Sequence, residues 1–305
     1  MSLAGVVALC LGSAAFFSVA TALKHRSAGG MPHVTEFRPG PLLAFARATL
    51  QHPLWLAGLL CDVGGFALQV VALHVGSLIV VQLVLMTAVL FSLVVSHRLA
   101  GTRISGRELA LGAALVVSII AFLLSSGALD ATPDTADRLP AVLAAVAIVA
   151  GVASLVAVSR VFSARKWRSR RAAALLGVAV GAIYAGTAAL IKVCGNIVSA
   201  QGVPALLTTW PLYALLVAGA SGLLLAQMAF QAGPLAASLP ATATADPLVS
   251  VLLGVVVFDE QLRTGAGAVL LTLVSLIALC AAVAALSQVR GVAEQPPMEN
   301  VATDA

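Results

Sequence analysis

Charged side chains are scarce in this chain of 305 residues: Asp, Glu, Lys and Arg together make up 10% of it, and aromatic residues make up 5%. Hydrophobic residues make up 61%, and the mean hydropathy is +1.06. A soluble globular domain carries about 25% charged residues, so this composition excludes that class. The sequence therefore predicts a polytopic membrane protein whose main surroundings are the lipid bilayer.

Sequence patterns typical of enzymes and metal sites are also missing. The chain contains no HExxH and no GxSxG motif, which are signatures of zinc proteases and of serine hydrolases. Its four cysteines, Cys10, Cys61, Cys194 and Cys280, are isolated in different apolar segments without a CxxC pair. Such cysteines are expected to pack as small side chains. We expect neither an enzyme nor a bound cofactor.

Apolar segments long enough to cross a membrane recur along the chain. A spanning helix needs about 20 mostly apolar residues. The sequence predicts nine such helices, at 3–23, 53–73, 76–98, 107–128, 139–160, 172–194, 211–231, 234–258 and 264–286. The predicted fold class is thus an all-α polytopic membrane protein with about nine transmembrane helices.

The basic residues indicate an orientation, because cytoplasmic loops carry an excess of Lys and Arg. With the N-terminus outside, fourteen of the seventeen Lys and Arg residues fall on the cytoplasmic side, including the run from Arg165 to Arg171. We therefore expect a protein of the cell membrane with its N-terminus outside and its C-terminus in the cytoplasm. This topology and contact with anionic lipid explain the basic run better than nucleic-acid binding does.

Two parts of the chain, 53–128 and 211–286, resemble each other at an offset of 158 residues. Uncommon residue types coincide in them: Pro53 with Pro211, Gly64 with Gly222, Gln69 with Gln227, and Ser92 with Ser250. One further apolar segment precedes each part and ends in lysine, at Lys24 or Lys192. The predicted fifth helix would turn the second copy upside down. The sequence thus predicts an inverted repeat of the kind found in secondary transporters.

The expected organisation has four parts. The first repeat occupies residues 1–128, a linking helix and a basic cytoplasmic loop occupy 129–171, the second repeat occupies 172–286, and a tail occupies 287–305. The tail combines prolines and acidic residues with little apolar content, so we expect it to be disordered.

Two aspartates lie in the middle of predicted spans, Asp62 in the second and Asp246 in the eighth. An ionised carboxylate in lipid is costly unless it faces a cavity or a partner, so each is a candidate binding residue for the substrate or for a coupling proton. At the offset of 158 their counterparts are Ala220 and Ala88, so the acids do not follow the repeat. The alternative is that each acid only forms a hydrogen bond with a neighbouring helix.

Asp246 is followed by Pro247 and preceded by Pro240. Proline removes a helical hydrogen bond, so both positions are predicted helix breaks, and broken helices near the midplane often mark a binding site. Thr242 and Thr244 could add hydroxyl oxygens to that site. The alternative is an ordinary kink with threonines that bond to their own helix.

Other polar residues give weaker signals. Gln69 and Gln227 are candidate lining residues, although a matched pair of amides that joins helices fits equally well. Lys192 is expected to snorkel to the membrane interface, and His74 is expected to be a solvated turn residue. Gly177 and Gly181 predict close helix packing.

The stretch from Ala229 to Ser238 and the stretch from Phe258 to Thr264 resemble the drug/metabolite transporter superfamily, in particular its EamA-like transporters. The resemblance covers residues 3–286 and implies inverted helical repeats, although typical members have ten helices. It also implies that the pair Asp259–Glu260 marks a structural turn before the last helix. Residues 100–105, at the corresponding place in the first copy, lack an acid.

The nine-helix plan, with residues 56–60 and 188–192, also looks like the NIPA-type magnesium transporters, which implies Mg²⁺ as substrate. Magnesium prefers carboxylates and keeps several waters, so Asp62 and Asp246 would be its ligands. The leading hypothesis is a secondary transporter of a small metabolite or drug, coupled to protons. A Mg²⁺ transporter is the alternative.

Overall fold

The structure, a computed structural model, describes residues 2–28, 53–129, 151, 155, 169–232 and 235–293. Every regular element within these residues is an α-helix. The helices are α1 (Leu3–Ala28), α2 (Pro53–Val75), α3 (Leu78–Leu85), α4 (Ala88–Ala100), α5 (Gly106–Ser126), α6 (Arg170–Gln201), α7 (Val203–Thr208), α8 (Trp210–Ala232), α9 (Leu235–Phe258) and α10 (Ala266–Ala293).

Seven helical stretches of the described residues are long and apolar enough to cross a membrane, and α3 with α4 counts as one of them. A shorter apolar stretch, Trp210–Ala226, lies in α8. The protein is therefore an all-helical, multi-pass membrane protein. The predicted fifth span, 139–160, lies outside the described residues except for two isolated positions.

Helix α6 is the centre of the bundle. It packs most extensively against α9 and α8, and it also contacts α2, α3 and α7. Of its apolar window, 67% is buried, the highest value among the candidate spans. Around this centre, α1 packs against α2, α3 and α4, while α5 packs against α10. This helix is rich in alanine and glycine, and such small residues allow neighbouring helices to pack closely on several sides.

Small residues allow α6 and α9 to approach closely, as the sequence predicts. A Cβ atom added to Gly181 would come within 2.5 Å of the Thr242 carbonyl oxygen and 2.9 Å of the Asp246 backbone nitrogen. At Gly177 it would come within 2.5 Å of the Ser238 carbonyl oxygen. Only glycine fits at these positions, so the backbones of the two helices are in direct contact.

At one end of the bundle, helices of the first part of the chain meet helices of the second. The Ser77 side chain, just before α3, contacts Glu260, just after α9. The backbone N–H of Arg263, before α10, donates to the carbonyl of Ser126 at the end of α5, at 2.8 Å. We call this the Glu260 end. At the opposite end, the N–H of Ser169 donates to the carbonyl of Ala232, at 2.9 Å, which joins the start of α6 to the end of α8.

The predicted span 76–98 is interrupted, although no proline lies in it. It divides into α3 and α4 at Met86 and Thr87, where the N–H of Thr87 donates to Val84 and that of Leu90 donates to Thr87. The Thr87 hydroxyl also donates to the Val84 carbonyl, at 2.7 Å. These three-residue bonds replace part of the regular helical pattern and mark a local interruption of the span.

The last two helices, α9 and α10, differ from the prediction. The long α9 continues through Pro240 and Pro247, so the predicted helix breaks at these residues are wrong. A proline removes one donor, and the remaining bonds and the packing against α6 maintain the helix. Helix α10 extends to Ala293, so the tail expected from residue 287 begins with helix. Residues 294–305 lie outside the described part.

Replacing Gly181 with alanine should destabilise the protein. The added methyl group overlaps the α9 backbone, and overpacking of this kind costs about 1–3 kcal/mol. The apparent unfolding temperature in detergent, followed by gel filtration after heating, should fall.

The matched control is Gly219→Ala on α8, where a Cβ atom meets nothing within 4 Å. This variant should unfold at or above the wild-type temperature, because alanine is the better helix former. Equal unfolding temperatures for the two variants would contradict the close contact of α6 with α9.

Candidate functional site

Asp246 lies on α9 where this helix meets α6, and its side chain is half-buried. The hydroxyl of Ser250, one turn later, donates to Asp246 Oδ1 at 3.4 Å. Tyr184 follows Gly181 by one turn of α6, and a Cβ atom on Gly181 would be 2.9 Å from the Asp246 backbone nitrogen; Tyr184 is 39% exposed. The site thus combines a carboxylate, a phenol and a hydroxyl within the membrane-spanning part of the bundle.

Asp246 also lies between two separate packing clusters. The smaller cluster joins the first half of α6, up to Ile183, to α8 and to Ala237 at the start of α9. The larger cluster includes α6 from Ala185 onward and the second half of α9, together with the first five helices and α10. Asp246 and Tyr184 lie where the first cluster gives way to the second. Helices α6 and α9 run through both clusters and connect them.

The threonines near Asp246 already have acceptors for their protons. Thr242 Oγ1 donates to the Gly177 carbonyl on α6, at 3.0 Å, and so links the two helices. Thr244 Oγ1 donates to the Pro240 carbonyl in its own helix, at 2.6 Å. Their oxygens can still accept a hydrogen bond from a ligand, but their protons are engaged. Thr242 therefore strengthens the contact of α6 with α9, and Thr244 follows the alternative of a bond within its own helix.

The other predicted site residues lie on different helices. Asp62 and Gln69 are half-buried on α2, whose main neighbour is α1. Asp246 lies on α9, whose main neighbour is α6. Among the described helices, α2 and α9 share no extended contact. The backbone of Gln227 belongs to α8, and its side chain lies outside the described part.

The described residues contain no group of three or more His, Cys, Asp or Glu side chains that could hold a metal ion. A partly hydrated Mg²⁺ needs only one or two carboxylates. Asp62 and Asp246 would then have to act from helices that do not pack together. The geometry thus makes Asp246 the centre of the candidate site. It does not favour a site that Asp62 and Asp246 share.

Glu260, at the Glu260 end, forms the most heavily bonded charged site of the described residues. Its Oε1 accepts from Lys192 Nζ at 2.7 Å and from the N–H of Leu78 at 2.5 Å. Its Oε2 accepts from Ser77 Oγ at 2.7 Å and from the N–H of Ile79 at 3.0 Å. Glu260 is 2% exposed and Lys192 is 1% exposed. We call Ser77, Lys192, Glu260 and the two amides the Glu260 clamp.

The clamp provides hydrogen-bond acceptors for the backbone N–H groups at the start of α3. The first N–H groups of a helix lack partners within it and attract negative charge. Ser77 is the N-cap and accepts from the N–H of Val80, at 3.3 Å, while Glu260 supplies acceptors for the next two amides. A carboxylate with four donors in a buried place is fully compensated, and charged hydrogen bonds of this kind are the strong ones. The clamp therefore joins three elements that are far apart in the chain.

The sequence suggested that Lys192 snorkels to the membrane interface, and the structure shows that it does not. It lies inside the bundle, paired with Glu260, and its Nζ is 4.6 Å from the centre of the Phe258 ring. The ring face and the carboxylate together replace the water that an ammonium would otherwise need. His74 also differs from expectation, since it is half-buried in the last turn of α2 and its Nδ1 has no partner among the described residues.

The polar contacts at the opposite end are of another kind. His97 Nε2 lies 3.2 Å from Glu108 Oε1, and the same glutamate closes a capping box with Ser105 at the start of α5. His97 and Glu108 belong to consecutive helices, α4 and α5. This contact therefore stabilises one loop and does not join distant parts of the chain.

A cavity of about 360 Å³ lies between α2, α6, α7 and α8, near the Glu260 end. Its lining is almost entirely apolar and includes Phe66, Val70, Val198 and Leu212. His74 and Ser199 are its polar members. Such an apolar surface suits lipid chains, and its lining does not include Asp246.

Comparison with known proteins identifies a bacterial relative of this chain. The chain is 30% identical over 259 residues to an uncharacterized protein of Corynebacterium glutamicum, covering 84% of this chain and 86% of the relative. The chain belongs to the same family as that bacterial protein. No family model matches the chain, and no solved structure matches it.

Sequence reasoning missed the clamp because its parts lie far apart. Ser77 and Glu260 are 183 residues apart, and Lys192 and Glu260 are 68 residues apart. One signal was present: Ser77 directly precedes an apolar run, which is the pattern of an N-cap. The distant partner that would complete this cap has no local signature.

Breaking the clamp should destabilise the protein strongly. Lys192→Met and Glu260→Ala each leave one buried charge without its partner, which costs about 3–5 kcal/mol. The double variant should lose less than the sum of the two, because it no longer carries an unpaired charge. Apparent unfolding temperatures in detergent measure all three.

Asp259→Asn is the matched control, since Asp259 is the adjacent acid and its side chain is exposed. Its backbone φ of 49° is one that asparagine also tolerates. This control should unfold like the wild type. Glu260→Ala with the same unfolding temperature as Asp259→Asn would show that the clamp does not hold the fold.

Proposed function

We propose that this protein is a secondary transporter that moves a small organic molecule across the cell membrane, with protons coupled through Asp246. The observation that carries the proposal is the position of Asp246, a carboxylate between two packing clusters in the spanning part of the bundle. A stable scaffold has no need of an acid there, and such acids commonly mark ion and substrate paths. At the Glu260 end, the ion pair and hydrogen bonds of Glu260 hold the helices together, which suits the closed side of an alternating-access transporter. The packing cluster of α6, α8 and the start of α9 is distinct from the larger cluster and suits the same mechanism.

An inverted repeat is part of this proposal, and matched contacts support it. Gly64 and Gly222 occupy equivalent positions at the offset of 158. A Cβ atom on Gly64 would be 3.2 Å from the Phe16 ring, and one on Gly222 would be 3.3 Å from the Tyr184 ring. Phe16 lies eight residues before Lys24, and Tyr184 lies eight residues before Lys192.

The order and direction of the helices support the same repeat. In the first part of the chain α1 packs against α2 and against α3 and α4, and in the second part α6 packs against α8 and α9. Helix α3 starts beside the end of α9, and α5 ends beside the start of α10. Equivalent helices therefore run in opposite directions, as expected for an inverted repeat in the drug/metabolite transporter manner. The odd number of linking spans that this requires is supplied by the predicted helix at 139–160.

A small organic substrate fits the site better than a bare ion. One carboxylate, with a phenol and hydroxyl oxygens nearby, can bind a polar group of an organic molecule. A magnesium site with two carboxylates would need Asp62 as well, whose helix shares no extended contact with α9. Mg²⁺ transport is therefore the alternative that the flux experiment below distinguishes from transport of an organic molecule.

Flux in proteoliposomes tests the proposal. Vesicles that contain the full chain and trapped pyranine report proton movement when amino acids, nucleosides or organic cations such as ethidium are added outside. At least one compound should drive saturable proton flux in the wild type. Asp246→Asn should lower that flux about tenfold or more, a loss typical of a residue that transfers protons, and Asp246→Glu should restore part of it. Asp259→Asn, an exposed acid, should behave like the wild type.

The remaining outcomes are also decisive. Flux that survives Asp246→Asn unchanged would contradict the coupling role of this residue. Saturable Mg²⁺ uptake, followed with a trapped magnesium dye and abolished by Asp246→Asn, would replace the organic substrate with the ion. No flux of any compound or of Mg²⁺, in protein that is monodisperse and folded, would contradict the transporter proposal.

The proposed orientation, with the Glu260 end outside, has its own test. In a chain whose native cysteines are replaced, Gln261→Cys and Arg103→Cys place single thiols at exposed positions on opposite ends. A membrane-impermeant maleimide should label the first in intact cells and the second only after permeabilisation, because charged reagents do not cross the bilayer core. The reverse pattern would invert the topology.

A further inference from the structure

We propose that the Glu260 clamp is the gate that closes the path between Asp246 and the Glu260 end. In the alternative state the start of α3 moves away from Glu260, and water reaches Asp246 from that side. This inference rests on the proposed transport function and adds to it the moving element and the residues that hold it closed.

One face of α9 connects the acid to the clamp. Asp246, Ser250 and Gly254 follow each other at intervals of four residues, so they lie on the same face. They span about 12 Å, given the rise of 1.5 Å per residue. Ser250 is completely buried and donates to Asp246. At Gly254 this face is pressed against the clamp itself, because a Cβ atom there would be 2.5 Å from Ile79 Cγ1 and 2.8 Å from Glu260 Oε2.

Helix α3 has the features of a moving gate. It contains only eight residues, all of them buried, and the interruption at Met86 and Thr87 separates it from α4. A short rigid element with a turn at one end can tilt without disturbing the helix that follows. Its other end is held by the carboxylate of Glu260. Release of that end is therefore enough to open a path along α9.

The chemistry of the clamp suits a contact that forms and breaks. Buried ion pairs are often no more stabilising than apolar side chains of the same shape. They differ in the open state, where water solvates the exposed ion pair, whereas an opened apolar contact would expose hydrophobic surface. Lys192 and Glu260 thus remain paired in both states, and water replaces Ser77 and the two amides of α3 when the gate is open. Both remain attached to the second part of the chain, so α3 is the part that leaves.

Access of a reagent to position 250 tests the gate without knowledge of the substrate. Ser250→Cys is introduced in a chain without the native cysteines and reconstituted in sealed vesicles of both orientations. Labelling of Gln261→Cys identifies the Glu260 side. A positively charged methanethiosulfonate reagent applied from that side should label position 250 slowly while the clamp is intact. Glu260→Ala or Gly254→Ala should raise that rate about tenfold or more, since either change shifts the population toward the open state.

Two controls separate gating from loosening of the whole fold. Gly177→Ala disturbs the contact of α6 with α9 far from the clamp, where its Cβ would be 2.5 Å from the Ser238 carbonyl oxygen, and it should leave the labelling rate unchanged. Ser77→Ala removes one bond of the clamp and keeps the ion pair, so it serves if Glu260→Ala does not fold. It should raise the rate less than Gly254→Ala does.

The results divide clearly. A rate that is the same in the clamp variants and in the intact chain, or that rises equally in Gly177→Ala, overturns the gate. If labelling depends on the clamp and no compound shows flux, the gate stands and the transport proposal falls. If flux through Asp246 is found and labelling does not depend on the clamp, only the gate falls.

Discussion

The buried charge of Glu260 is the constraint around which one end of this bundle is built. A carboxylate that is 2% exposed needs donors for both oxygens. Here an ammonium, a hydroxyl and two backbone amides provide them, and each comes from outside the loop that carries the glutamate. The positions of α3, α6 and the end of α9 are thereby linked. Moving any one of them leaves a charge or a helix end without its partner.

Close contact of backbones is the second requirement, and glycine provides it. The clamp closes because Gly254 has no side chain to separate α9 from Ile79, and α6 reaches α9 because Gly181 has none. In lipid there is little hydrophobic driving force between helices, so packing and interhelical bonds such as that of Thr242 to Gly177 must hold them together. The same absence of bulky side chains permits helices to slide. Stability and mobility thus come from the same residues.

Local sequence patterns were sufficient to predict most of the helices, but they predicted little of the candidate site. Long apolar runs predict the spans because a bilayer requires backbone bonds to be satisfied within each segment, and the starts of α2 and α6 follow closely. The interruption between α3 and α4 could not be predicted, because no proline lies in this span. Pro240 and Pro247 suggested a break that packing against α6 prevents. Asp246 was recognisable as an acid in an apolar run, whereas the clamp depends on three residues that only the folded chain brings together.

Among the described residues, charged side chains fasten the two ends of the bundle unequally. The Glu260 clamp joins distant parts of the chain, whereas the contact of His97 with Glu108 joins two consecutive helices. For a carrier that alternates between two faces, such inequality sets a resting preference. An empty carrier that favours one face binds its cargo there at close to the intrinsic affinity, and from the other face it binds with an affinity reduced by the rarity of the competent state. The final gradient is unaffected, because the coupling ion alone determines it. For the proposed carrier, the half-saturation concentrations on the two sides of the membrane would therefore differ.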